Sequence, residues 1–210
     1  NGWKAAMVLE ELDLDYNLKY VDLARREQHT QKFLLLNPNG RVPVIVDNEA
    51  NGLTIFDTNA IFFYLAEKTG TLLPCEGPER HKVIQSLMFQ ASGIGPMQGQ
   101  AVTFERYFPE DVPAARTRYH NETRRLHEVM NTHLKEQKWL TADFSITDIA
   151  NWSWIRGHRW ARVPTEGLNH LKRWMEQLRQ RPACERGLNI PPSPGKADAV
   201  KSLGSAMTTQ

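Results

Sequence analysis

Beyond residue 60 the sequence carries no segment of strand periodicity, and this limits the possible folds more than any other feature. Apolar residues recur there at helical spacing. Val83, Ile84, Leu87, Met88 and Ala91 mark one helix, and Tyr119, Leu126, Val129, Met130 and Leu134 a second. Ile146, Ile149, Ala150 and Trp154 mark a third, and Leu168, Leu171, Trp174, Met175 and Leu178 a fourth. The first should be disturbed at "GIGPM", where Gly93, Gly95 and Pro96 interrupt it. Residues 80–192 are therefore expected to form an all-helical domain. The segment 193–210 is small and polar and is expected to be a disordered tail.

The first 70 residues have a different texture. A helix is predicted over residues 3–14, then a strand through Tyr16, Leu18 and Tyr20, and a short helix at Phe33–Leu36 stopped by "NPNG". A strand over 42–47, the turn "NEANG" and a strand at Leu53–Phe56 read as a hairpin. Asp57 and Thr58 then open a helix with Ile61, Phe62, Leu65 and Ala66 on one face. A parallel pairing of the strand at 16–20 needs an earlier strand, joined by a right-handed crossover. That strand is expected upstream of Asn1, so residues 1–70 read as an N-terminally incomplete α/β domain. "TLLPCEGPE" (71–79) is the linker to the helical half.

Composition excludes several function classes. With 26 basic and 24 acidic residues, net charge +2, nothing draws the chain to nucleic acid or to an anionic membrane. No apolar run approaches the roughly 20 residues of a membrane span. Cys75 and Cys184 form no CxxC pair, which argues against a zinc site and for a reducing, cytoplasmic setting. Seven histidines without metal-ligand spacing predict no metal.

Two places invite chemistry. In "GRVPVIVD" (40–47), Pro43 interrupts a run of strand formers. A cis bond there would turn the main-chain groups of Val42 outward, toward an extended peptide-like ligand. Taken alone, a trans proline at a bulge is the better account, since cis is about 5–6% of such bonds. Asp57 and Thr58 sit at a helix start directly after a strand. Unpaired N–H groups there attract a carboxylate, and Asp57 could hold an ammonium beside it, which suits an α-amino-acid head group. Taken alone, a simple helix cap explains the pair better.

Together, "NPNGRVPVIVD", "LTIFDTNAIFFYLAEK", the linker and the helical half resemble the soluble glutathione transferase family over nearly the whole chain to about residue 190. "NGWKAAMVLEEL", "GPMQGQ" (95–100) and "TRYHNETRRL" (117–126) look like the branch that includes fungal Ure2p-like and bacterial nu-class enzymes. The resemblance implies a thioredoxin-like glutathione site on an α/β domain, an all-α second domain, and a homodimer. Val42, before a Pro43 that looks like the family's cis proline, would pair with the cysteinyl backbone of glutathione. Asp57 and Thr58 would hold its γ-glutamyl end, where the branch usually has Glu-Ser. Arg41 and Gln28 match positions near the glycine end, and Arg118 matches a cleft arginine of the helical domain. Asn1 matches the asparagine whose amide steadies the sulfur. "SITD" (145–148) matches a structural capping box.

The implied activity is glutathione-dependent. The activated thiolate attacks a small apolar electrophile or a disulfide, with disulfide reductase or peroxidase activity alongside. Two alternatives stand beside it: a weakly catalytic regulatory module on the same fold, and a biosynthetic transferase dedicated to one metabolite. Phe104, Tyr107 and Phe108 could wall the electrophile side. The tryptophans of "NWSWIRGHRW" read as packing contacts, with Arg156, His158 and Arg159 as a solvated or interface face. His120 reads as a surface residue.

Overall fold

The computed structural model describes residues 1–192; the segment expected to be a disordered tail lies outside the described residues. The chain opens with α1 (Gly2–Glu11), followed by a 3-10 turn (Glu27–His29) and α2 (Gln31–Leu34). Strands β1 (Val44–Asp47) and β2 (Leu53–Phe56) precede α3 (Thr58–Thr69). Helices then follow without interruption by strand: α4 (Gly77–Phe89), α5 (Gly95–Val102), α6 (Pro113–His133), α7 (Ile146–Ile155), α8 (Asn169–Arg179) and α9 (Pro182–Leu188). Proline occupies the first turn of α4, α5, α6 and α9, where its missing N–H would have no helical partner in any case.

β1 and β2 form an antiparallel hairpin with Val44 opposite Phe56 and Ile45 opposite Ile55. Asp47 fixes its far end. One carboxylate oxygen accepts from the Glu49 and Ala50 N–H groups, and the other from Tyr64 Oη and Lys68 Nζ of α3, both at 2.5 Å. The lysine and phenol hold this carboxyl well below the usual carboxylate range. Asn51 (φ 55°) and Gly52 (φ 77°) supply the left-handed turn.

The expected strand at 16–20 is not formed. The segment has no regular secondary structure, no backbone ladder runs beside it among the described residues, and Leu18 and Tyr20 are exposed. Alternation of apolar residues makes a strand only where a neighbouring backbone pairs with it. The expected disturbance at "GIGPM" is present as a π-helical turn, Gln90–Ile94, in which the Gly95 N–H reaches back to the Gln90 carbonyl. Pro96 lacks the N–H that regular α-helical bonding would require. A second π-turn, Thr103–Tyr107, ends α5.

One continuous core joins the two halves. Met7 and Val8 of α1 pack with Ile61 and Phe62 of α3, and the same cluster runs on through Leu87, Ile149, Trp152 and Trp174. Each such side chain contributes about 1.5–3 kcal/mol on full burial. The linker is fastened to this core, since the Ile146 N–H at the start of α7 donates to the Leu72 carbonyl at 3.1 Å.

Helix α9, which the sequence pattern did not reveal, returns to lie along α1. Gly187 makes the approach possible. A Cβ there would fall 2.5 Å from Met7 Cγ and 2.6 Å from the Met7 backbone. Arg181 pairs with Glu11, and Arg186 with Glu10. Gly187→Ala must push two backbones apart, so a loss of about 2–3 kcal/mol is expected, read as a lower melting temperature or urea midpoint.

Candidate active site

The loop before β1 is built by one buried amide. Asn37 Oδ1 accepts the Asn39 N–H at 2.9 Å, and its Nδ2 donates to the Arg41 carbonyl at 2.6 Å. Gly40 (φ 62°) closes the turn against the 3-10 segment, where a Cβ would fall 2.9 Å from His29 Nδ1 and 3.3 Å from the Gln28 carbonyl. Gln28 is buried there, with its Oε1 unpartnered among the described residues. The Val42–Pro43 bond is cis. The ladder begins only at Val44, and the Val42 N–H and C=O make no hydrogen bond among the described residues. Arg41 is exposed beside them.

Extending the hairpin register past Val44 and Phe56 sets Pro43 opposite Asp57 and Val42 opposite Thr58. The cis-proline loop and the turn into α3 thus leave the hairpin at the same end of its ladder. Asp57 has φ 70° and ψ 129°, a backbone conformation costing on the order of 1–3 kcal/mol for a residue other than glycine. Its Oδ1 caps α3 by accepting from Asn59 N–H at 2.9 Å and Ala60 N–H at 3.3 Å. Oδ2 has no hydrogen bond among the described residues, and the Thr58 N–H and hydroxyl are likewise open. Asp57 is thus a cap and a spare carboxylate oxygen at once. The Asn59 amide donates across to buried Gln90 Oε1 at 3.0 Å, tying the start of α3 to the helical half.

Asn1 stands at the N-cap of α1. Its carbonyl accepts from the Lys4 N–H at 3.1 Å, and its side chain makes no capping bond, leaving the amide available. Sequence reading passed over Lys4. It is 6% exposed, and its ammonium lies 4.4 Å from the centroid of the Trp154 ring. Burial lowers its pKa to about 7, against the pull of the Asp57 charge. Trp154 is itself fixed from behind. Its indole lies along Gly95 and Gly99 of α5, where any Cβ would crowd it, and its carbonyl accepts from Gln98 Nε2. Gln98 Oε1 meets His127 Nε2 at 3.1 Å. Burial drives that histidine down to about 3, so the ring is neutral at physiological pH.

Arg156, expected on a solvated or interface face, is not freely solvated. It is half-buried, stacked 4.8 Å from the Trp3 ring centroid and 5.7 Å from that of Trp152. Trp152 and Trp160 are packing contacts as expected: Trp152 Nε1 donates to the Met175 carbonyl, and Trp160 Nε1 to Tyr107 Oη. Phe104 stacks on Tyr119 (5.5 Å, 9°) and touches Phe108 (4.9 Å), forming an aromatic wall at the head of α6. Arg118 precedes Tyr119 on α6, with its side chain 66% exposed and 3.6 Å from Glu122. It makes no hydrogen bond or ion pair with Val42, Asp57 or Thr58 among the described residues. Among the described residues no group of histidine, cysteine and acidic side chains is arranged to hold a metal, and no helix is long and apolar enough to cross a membrane.

Residues 1–67 match the model of the glutathione S-transferase N-terminal domain. The chain is 41% identical over 193 residues to the disulfide-bond oxidoreductase YfcG of Escherichia coli (strain K12), covering 90% of both proteins. A glutathione transferase from Pseudomonas putida, solved with one glutathione disulfide bound per subunit, superposes with a TM-score of 0.84 at 35% identity, covering 90% of this chain and 86% of that one. The glutathione transferase URE2P6 of Phanerochaete chrysosporium, in complex with oxidized glutathione, gives 0.84 at 33% identity over 90% of each chain. The hairpin and helices before residue 70 are the thioredoxin-like part of that fold, the helices after it the all-α part, and the chain belongs to the glutathione S-transferase family.

Proposed function

We propose that this protein is a glutathione-dependent transferase and thiol–disulfide oxidoreductase. Its ligand occupies the cleft bounded by the 37–43 loop, the start of α3, the N-terminus of α1 and Trp154. The observation that carries the reading is Asp57. Its backbone is held in an unfavourable conformation at the foot of a helix, with one carboxylate oxygen capping and the other turned to a site with open N–H and hydroxyl groups. An ammonium on Oδ2 and a carboxylate on Thr58 match the γ-glutamyl end of glutathione, as the amino-acid head group predicts.

In this reading the main chain of Val42, presented by Pro43, pairs with the cysteinyl residue. Gln28, with its unpartnered buried oxygen, and Arg41 face the glycine end. Arg118 reaches the cleft from the helical half, and the Asn1 amide with the α1 N-terminus donates to the sulfur. Once the thiol has lost its proton, the thiolate attacks either an electrophilic carbon or a disulfide sulfur. In the second case one S–S bond forms as another breaks, and the leaving thiolate takes up a proton. The E. coli relative's name and the oxidized ligands in the two solved relatives favour the disulfide route. The aromatic wall of Phe104, Phe108 and Tyr119 suits a small apolar partner on the other.

The reading divides the chain into domains at 1–70 and 80–192 joined by 71–79. It makes the protein a homodimer, and it places it in the cytoplasm, where the two free thiols Cys75 and Cys184 stay reduced. Calorimetry with reduced and oxidised glutathione tests the site. Turnover with a chromophoric electrophile, against turnover with a glutathione mixed disulfide, tests the chemistry. Heat with both ligands and turnover of either substrate is the expected result. Binding without either turnover would instead mark a regulatory module.

A further inference from the structure

Lys4 has no structural employment that its chemistry would explain. It is buried to 6% exposure, yet its side chain makes no hydrogen bond and no ion pair among the described residues; its ammonium rests on the face of Trp154, with the Asp57 charge acting on it from farther off. A cation drawn into a largely buried position with no direct hydrogen-bonding or ion-pair partner costs stability, and a methionine would fill the same volume without that cost. A group that costs stability where packing does not need it points to a ligand. Its position says which part of the ligand. Lys4 lies one turn into α1, with its N–H on the Asn1 carbonyl, and a helical side chain leans toward the N-terminus of its helix. The ammonium is therefore carried back toward the end of α1, where Asn1 and the open helix terminus face the cleft.

The charged groups around it agree with an anionic visitor. Asp57 faces Lys4 from the cap of α3, but Oδ2 is the oxygen that would hold the ligand's own ammonium. Arg156, at the end of α7, adds positive potential near Asn1, as Lys4 does. Arg181, just before α9, and Arg186 on it are engaged with Glu11 and Glu10 at the opposite end of α1.

We propose that the Lys4 side chain is the counter-ion of the glutathione thiolate, held in place by Trp154. This rests on the cleft being the glutathione site. If lysine enters neutral, its Nζ accepts the thiol proton as the S–H bond breaks. If it enters charged, the proton leaves to solvent. Either way an ammonium faces a thiolate and no oxidation has occurred. Asn1 alone has no such capacity, because an amide can donate to sulfur but not take its proton.

The test compares wild type, Lys4→Met and Lys4→Arg in the full chain. The bound thiolate is followed by its ultraviolet absorbance across pH, and binding of S-methylglutathione, which has no ionisable thiol, by calorimetry. Lys4→Met is expected to cut the thiolate fraction at neutral pH by about tenfold, one pKa unit, while its melting temperature stays at or above that of wild type. Its affinity for S-methylglutathione should stay within about twofold. Lys4→Arg, which keeps the charge, should hold most of the thiolate. An unchanged thiolate titration in Lys4→Met overturns the assignment, as does an arginine variant that folds and ionises no better than the methionine one. Equal losses for glutathione and its S-methyl derivative would place Lys4 on a ligand carboxylate, which also overturns it. Failure of wild type to bind either ligand would refute the glutathione reading itself and is told apart by that.

Discussion

Asp57→Ala should raise the dissociation constant for glutathione by about 10- to 140-fold. A charge-assisted hydrogen bond is worth about 1.5–3 kcal/mol, and each 1.4 kcal/mol is tenfold in affinity. The free Oδ2 supplies that bond in the proposed complex, while Oδ1 is committed to the Asn59 and Ala60 N–H groups. The two duties separate by substitution. Alanine removes the cap as well, at a cost of about 1 kcal/mol, and sits badly at φ 70°. Asparagine keeps a capping oxygen and tolerates the left-handed backbone, so it removes little but the charge. Asp57→Asn is therefore expected to weaken binding about tenfold with a melting temperature close to wild type. Calorimetry and thermal melts on the two variants read both effects. Unaltered affinity in the alanine variant would show that the γ-glutamyl end lies elsewhere.

The second large effect is on stability. Asp148 is fully buried at the start of α7 and serves three donors: Leu140 N–H and Trp174 Nε1 on Oδ1, at 3.0 and 2.8 Å, and Ser145 N–H on Oδ2 at 3.1 Å. It completes the capping box foreseen at "SITD" and also joins the 134–145 loop and α8 to α7. Asp148→Ala strands all three donors in the core, each at about 1–3 kcal/mol, partly offset by removal of a buried charge. A net loss of about 3 kcal/mol at neutral pH is expected by urea unfolding. The pH dependence has a definite sign. Burial raises this carboxyl from 3.8 to about 6, against the donors that pull it down. The folded protein therefore holds the proton longer than the unfolded chain, and the group's contribution is greatest below about pH 4 and declines as pH rises through about 6. The gap between wild type and Asp148→Ala should accordingly be wider at pH 5 than at pH 7.5. A gap that widened instead toward alkaline pH would mean the three donors outweigh burial.

What could be read from the sequence was whatever is decided within a few residues. The hairpin follows from "NEANG" between β-formers, the start of α3 from Asp57-Thr58, the box from Ser145 and Asp148, and the break in the α4–α5 helix from Gly93, Gly95 and Pro96. The misses are properties of distant partners. Leu18 and Tyr20 alternate like a strand but have no ladder beside them among the described residues. Nothing in its own neighbourhood singles out Lys4; its setting is made by Trp154, 150 positions away. Arg156 reads as part of a solvated or interface face, and its contacts with the Trp3 and Trp152 rings come from residues far off or on its own helix. Helix α9 is short, and its meaning lies in Gly187, whose only signal is the absence of a side chain where Met7 passes.

That passage has a consequence for how a ligand is received. α1 is gripped along one side by Gly187 and at its far end by two arginine–glutamate pairs, while Asn1 and Lys4 occupy its near end. In the proposed site these contacts preorganise the α1 side of the cleft, so little of it is left to order when a tripeptide arrives. Association then forfeits little conformational entropy on the protein's side, and affinity should track the polar contacts that are made rather than the ordering needed to make them.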